Sequence, residues 1–224
     1  LAMADAGPRL TIDQIWEDPA QRSAAEARGA HVYSANCASC HGADLKGVPG
    51  AHVPDLTDDY WRFGGEDMDT FRMRPSDVEA TVRFGIRSGH PQARMASVMP
   101  AWSEIAARSE GLDEQALADV TEYVLHLSGQ PADRTAALRG EQLFGGQATC
   151  FDCHASDGKG DNSIGATDLT RPATWLYGTD RAAIRASIAG GRAAAMPAFA
   201  DVLSDRQIAD VSIYIYGKAG GWEF

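Results

Sequence analysis

Cys37 and Cys40 are followed at once by His41, and Cys150 and Cys153 by His154, so all four cysteines of this 224-residue chain fall into two copies of C-x-x-C-H. That pattern is the signature of covalent haem attachment. Two thiols at this spacing add to the two vinyl groups of one haem as thioethers, and the imidazole of the next residue then reaches the iron from the same face. Blander uses of the same residues explain less. A disulfide framework gives no reason for a histidine after both pairs. A thioredoxin-like centre needs one C-x-x-C and no histidine. A single all-thiolate zinc site would leave both histidines incidental. The expectation is two haems c, each with one of its two protein-supplied iron positions filled by its own motif.

An iron held by one imidazole takes a sixth ligand for electron transfer, or keeps an open position for binding and catalysis. Met196 is the sole methionine of the second half, and Pro197 follows it, stiffening the segment that carries it. In the first half the same Met-Pro-Ala-aromatic context selects Met99; His90 and Met95, and behind them Met68 and Met73, are its competitors. The expected axial pairs are His41 with Met99 and His154 with Met196, and ligation of this type raises the reduction potential relative to two histidines.

The elements that must position these groups recur as well. Asp55-Leu56-Thr57 begins 14 residues after His41, and Asp168-Leu169-Thr170 begins 14 residues after His154. Trp61, Phe63 and Gly64 are answered by Trp175, Tyr177 and Gly178, and Met99-Pro100-Ala101-Trp102 by Met196-Pro197-Ala198-Phe199, with 16 extra residues ahead of it in the first copy. The chain is a tandem duplication. Periodicity predicts helices over about 19–36 and 134–144 running into the motifs. A middle helix opens at the capping box Ser76-Asp77-Val78-Glu79, and Thr179 or Asp180 can cap its counterpart. Closing helices carry Leu117, Val120, Val124 and Leu127 in one copy and Ile208, Val211 and Ile215 in the other. Convincing strand pattern is absent. Gly29 and Gly140 each stand four residues before an aromatic, which would let the first and last helices of a copy cross closely. Trp61, Trp102 and Trp175 read as core residues against a large planar cofactor, and His31, His52 and His126 as structural or exposed.

Composition narrows the partners. With 44% hydrophobic and 23% charged residues the chain should fold around a core. A net charge of −11 argues against nucleic acid and anionic membrane surfaces and favours a basic protein partner. Most of that charge lies before residue 130. No stretch approaches the roughly 18 apolar residues of a membrane span.

The run Arg28-Gly29-Ala30-His31-Val32-Tyr33-Ser34-Ala35-Asn36-Cys37-Ala38-Ser39-Cys40-His41-Gly42, with the Asp-Leu-Thr, Trp-Leu-Tyr-Gly and Met-Pro-Ala elements, resembles the dihaem subunit (subunit III) of cbb3-type cytochrome c oxidases over roughly residues 25–217. The resemblance implies an all-α fold of two tandem class I cytochrome c-like domains, over 20–129 and 134–217, with a linker at 130–133. It also implies a periplasmic module, not an enzyme on its own, that takes electrons from a donor cytochrome and passes them haem to haem toward the catalytic subunit of an oxidase. Such subunits normally carry an N-terminal membrane anchor, and no stretch of this sequence reads as one. The resemblance therefore fits either the soluble part of a membrane-associated subunit or a free periplasmic dihaem carrier serving, for example, a dehydrogenase. A dihaem peroxidase-type enzyme is the alternative class, and it would require one methionine ligand to be missing or displaced.

Overall fold

Polar caps and prolines set the helix starts in the computed structural model, which describes residues 10–64, 73–94, 98–106 and 111–220. Thr11 opens α1 (Ile12–Glu17) through a reciprocal capping box with Gln14, and Asp18 caps α2 (Pro19–Asn36), whose first residue is the proline. Helix α2 runs into the short α3 (Ala38–His41), which carries the first motif. Helix α4 (Pro75–Phe84) begins ahead of the expected Ser76 box. Pro75 takes the first helical position, where its fixed φ and missing N–H cost nothing, and the Asp77 carboxylate accepts the Arg74 amide at 3.0 Å. After α5 (Trp102–Ala106) come α6 (Glu114–Leu127), capped by Asp113, and α7 (Arg134–Gly145), capped by Asp133. The second motif lies on α8 (Phe151–His154). Asp180 caps α9 (Arg181–Gly190) and Ser204 caps α10 (Asp205–Lys218). Among the described residues β pairing is limited to isolated bridges.

Packing divides the chain differently from the repeat. Helix α2 of the first copy lies against α10 of the second, and α6 of the first copy lies against α7 of the second. Helices α1 and α4 join the α2–α10 pair, whereas α5 and α9 join the α6–α7 pair. Each copy has handed its closing helix to the other. The close crossing expected at the two glycines is present, but between copies. A Cβ on Gly29 would stand 2.1 Å from the Asp210 carbonyl oxygen, and one on Gly140 would stand 2.1 Å from that of Asp119. The carboxylates of those same two residues are buried and gripped by arginines of the crossing helix. Arg28 donates two hydrogen bonds of 2.7 Å to Asp210, and Arg139 donates bonds of 2.7 and 2.6 Å to Asp119. Fork-to-carboxylate pairs of this kind fix orientation as well as contributing energy. Aromatics repeat the match: Tyr33 meets Tyr214 with ring centroids 5.6 Å apart, and Tyr123 meets Phe144 at 5.2 Å.

Two apolar clusters follow the packed units. One gathers Tyr33, Cys37, Leu45, Met73, Val78 and Val82 with Leu203, Ile208, Val211 and Ile215, and it takes in Trp61, Met196 and Phe199. The other gathers Leu112, Leu117, Val120 and Val124 with Ala148, Ile184 and Ile188, and it takes in Met99, Trp102, Cys150 and Trp175.

Candidate haem sites

Each motif is a single turn of helix closed by the carbonyl of its first cysteine, which accepts the histidine amide at 2.9 Å in both copies. The turn holds two thiols and an imidazole on adjoining faces. Beyond it the Asp-Leu-Thr segments are superimposable hydrogen-bonded turns: Asp55 Oδ1 accepts the Thr57 amide at 2.7 Å and its hydroxyl at 2.6 Å, and Asp168 Oδ1 accepts the same groups of Thr170 at the same distances. These turns fix the carbonyl just ahead of the aspartate. In the second copy that carbonyl, Thr167 O, pairs with His154 Nδ1 at 2.9 Å. This is the bond that orients a proximal imidazole and leaves Nε2 for iron. The corresponding carbonyl of Pro54 pushes the His41 pKa up against the larger effect of burial, although His41 Nδ1 completes no hydrogen bond. Burial lowers the pKa of both histidines, which keeps the rings neutral as metal ligands require. Burial also pushes the Cys37 and Cys150 thiols up to about 11. The four cysteines form neither a disulfide nor, among the described residues, a cluster of metal-binding side chains.

Packing places each methionine beside the other copy's motif. A cavity of about 320 Å³ is lined by Cys150, Cys153 and His154, and the methionine on its wall is Met99, with Pro100 and Trp102. Met196 lies instead in the cluster that contains Cys37. The cause is the exchange of closing halves, because each Met-Pro segment precedes its closing helix and travels with it. Short antiparallel bridges lock the segments in place. Met99 N donates to Arg192 O and Arg192 N to Met99 O, both at 3.1 Å, while Ile86 N donates to Met196 O at 3.0 Å and Met196 N to Ile86 O at 2.9 Å. A glycine in the left-handed region makes room in each bridge: a Cβ on Gly191 (φ 65°) would meet Met99 O at 2.4 Å, and one on Gly85 (φ 72°) would meet Met196 O at 2.5 Å.

Met73 is buried in the first cluster. His90 stacks on Phe84 and its Nδ1 accepts the Gln92 amide at 3.0 Å, and it does not line the His154 cavity. Met68 and Met95 lie outside the described residues. His52 has a part that the sequence did not signal. Its Nδ1 pairs with Leu176 O at 2.9 Å and its ring stacks on Tyr177, so the loops beyond the two motifs touch each other.

These features fit two covalently held haems c. The thiols, imidazole and cavity wall of the second site are arranged around one space, and two arginines that line it, Arg62 and Arg192, keep a buried Nε without a hydrogen-bond partner, as Trp61 keeps its Nε1 in the first unit.

Comparison with known proteins gives the same division by sequence copy. Residues 26–128 match the family described as cytochrome c, and residues 135–215 match that described as cytochrome c oxidase, cbb3-type, subunit III. The chain is 34% identical to the cbb3-type cytochrome c oxidase subunit FixP of Azorhizobium caulinodans, over 95% of this chain and 66% of that protein. It is 34% identical to FixP of Bradyrhizobium diazoefficiens, over 98% of this chain and 69% of that protein. It is 35% identical to the subunit CcoP of Cereibacter sphaeroides, over 94% and 67% respectively. The chain thus spans about two thirds of the length of these relatives. Among the described residues no helix is long and apolar enough to cross a membrane.

Proposed function

We propose, since the chain belongs to the family of dihaem FixP/CcoP subunits of cbb3-type cytochrome c oxidases, that it carries single electrons from a donor redox protein toward an oxidase in the periplasm, with the methionine ligands crossed between copies. The observation that carries the crossing is the position of Met99 on the wall of the His154 cavity. Bound haem supplies a one-electron iron couple at each site. The chain does the rest. Cys37 and Cys40, and Cys150 and Cys153, would tether the two haems, and His41 with Met196, and His154 with Met99, would supply the iron donors. The paired bridges at Ile86 and Arg192 hold the methionines against movement, so that a bound iron would keep the same donors in either oxidation state. Apolar walls from α6 and α9, including Val120, Val124, Ile184 and Ile188, exclude water from the second site. With a thioether donor held at each site, neither iron would keep an open position, which favours a carrier over a peroxidase-type enzyme. The net charge of −11 suits a basic donor, in a contact that salt weakens.

The test uses the dihaem protein and a Cys37→Ser/Cys40→Ser variant that retains only the second haem. In that variant Met99→Leu is expected to abolish the methionine-to-iron charge-transfer absorption, and Met196→Leu to leave it. The opposite result would restore the within-copy pairing. A high-spin centre that binds carbon monoxide in the unsubstituted protein would overturn the carrier assignment for that haem.

A further inference from the structure

Two arginines on the wall of the His154 cavity have no use in the account so far. Arg62 belongs to the first copy, at the position that Leu176 occupies in the second, yet its side chain crosses to the second site. Its guanidinium touches Thr167 Oγ1 and donates to Thr174 O at 3.3 Å, while its Nε is buried and unpartnered. Arg192 sits in the bridge that holds Met99. Its NH1 group donates to the carbonyl of Gly191 at 3.0 Å, its guanidinium lies 4.2 Å above the Tyr177 ring, and its Nε is likewise buried and unpartnered. Among the described residues no carboxylate lies within ion-pair reach of either. Asp58 acts on Arg62 only through its field, and the acidic side chain on the cavity wall is the exposed Asp152 of the motif itself. Burial lowers the Arg62 pKa from its usual value, with Arg87 adding a smaller push in the same direction. A desolvated guanidinium that lines a cavity without a carboxylate partner is costly unless an anion completes it. A haem brings two anions, its propionates, and a planar fork matches a carboxylate.

We propose that Arg62 and Arg192, one from each sequence copy, hold the propionates of the haem tethered to Cys150 and Cys153 and keep its reduction potential up. Neutralising negative charge beside an iron centre disfavours the ferric state, whose extra positive charge the propionates otherwise stabilise. The first unit lacks the counterpart of Arg192, since Ile86 occupies the equivalent bridge. The Arg192 part of the electrostatic hold is therefore specific to one haem. Arg62 also touches Thr167, whose carbonyl pairs with His154, so one side chain braces both the propionate edge and the proximal ligand. The inference rests on the presence of two haems and not on which methionine binds which iron.

The experiment is spectroelectrochemistry on the full dihaem protein, with resonance Raman detection of the propionate bending modes. In Arg62→Gln/Arg192→Gln the ferric-to-ferrous ratio of the second haem at fixed potential is expected to rise about tenfold, equivalent to a midpoint lowered by about 59 mV for one electron. The first haem is expected to keep its midpoint. Each single substitution should shift the propionate band of one haem only, and Arg192→Lys, which keeps the charge but not the fork, should restore most of the potential while the band stays shifted. An unchanged midpoint and band would overturn the proposal, as would equal shifts at both haems. Should the Arg62 variant fail to take up haem, Arg192→Gln alone decides by the same two readouts.

Discussion

Around His41 and around His154 the chain builds the same scaffold twice, and the two sites part company only in what lines them. The Asp-Leu-Thr turns agree to a tenth of an ångström, the left-handed glycines press on equivalent carbonyls, and the arginine-aspartate crossings have matching lengths. In the lining, Arg192 stands opposite Ile86, and Phe144 stands where Tyr33 sends a hydroxyl to the Gly42 carbonyl at 2.8 Å. Duplication has kept what positions a haem and has varied what surrounds it. Two centres with the same ligands can then differ in potential through burial and second-layer polarity, which are the means by which a protein tunes a haem.

The largest effect should come from the glycines at the crossings, where the two units are most alike. Gly29→Ala and Gly140→Ala each drive a methyl carbon into a backbone carbonyl of the crossing helix, and backbone cannot swing aside as a flexible side chain can. Each is expected to lower unfolding free energy by about 3 kcal/mol, at the upper end of what overpacking costs, measured by chemical denaturation of the dihaem protein. Similar losses would establish that both exchanged crossings carry the fold. A benign Gly29→Ala beside a damaging Gly140→Ala would show that the α2–α10 crossing is looser than the α6–α7 crossing.

Much of this was legible in sequence. The motifs, the Asp-Leu-Thr and Met-Pro-Ala repeats, the extent of α2 and α7 and the cap at Asp180 all follow from local rules. The exchange does not. Helices α6 and α10 present equivalent residues, Asp119 and Tyr123 against Asp210 and Tyr214, so either can satisfy Arg28 and Gly29 or Arg139 and Gly140, and complementarity alone cannot choose between them. The usable signal was linker length: only residues 128–133 separate α6 from α7, and short connections make sequential helices neighbours. Helix α1 escaped notice because six residues give periodicity too little to work on. The purpose of Arg62 was invisible because its partners belong to the other copy, and no local pattern reports on a side chain that crosses over.

A smaller, pH-dependent effect belongs to the α6–α7 crossing. Hydrogen bonds from Arg139 hold the Asp119 carboxyl below its usual range, and those from Arg181 do the same for Glu122 on the same helix. A depressed carboxylate stabilises the fold fully above its unfolded pKa of about 4, and this contribution is lost as pH falls through the folded value, where protonation removes the pair. Asp119→Asn is therefore expected to flatten the acid limb of stability against pH below about pH 4. The effect should be modest, because the Arg139 side chain is 49% exposed and solvent screens the pair. An acid limb as steep in Asp119→Asn as in the unsubstituted chain would assign acid sensitivity to other carboxylates.

The smallest effect comes from the hydroxyl that Tyr33 carries and Phe144, its equivalent on the other opening helix, lacks. Tyr33 is buried, burial pushes its pKa up, and it donates to the carbonyl of Gly42, the residue directly after the first proximal histidine. Tyr33→Phe removes that bond and leaves a buried acceptor short of a donor, for a cost of about 1 kcal/mol. The reverse exchange sharpens the comparison. Ala155 follows His154 as Gly42 follows His41, and both have positive φ, 57° and 76°, so the Ala155 carbonyl is the natural acceptor for a hydroxyl placed on Phe144. Phe144→Tyr is accordingly expected to change stability by less than about 1 kcal/mol, the new bond offsetting the desolvation of the hydroxyl. A loss above about 2 kcal/mol would mean an unsatisfied buried hydroxyl. It would show that the two units, alike in their turns and crossings, diverge in the backbone just beyond the proximal histidine as well as in the side chains that line the sites.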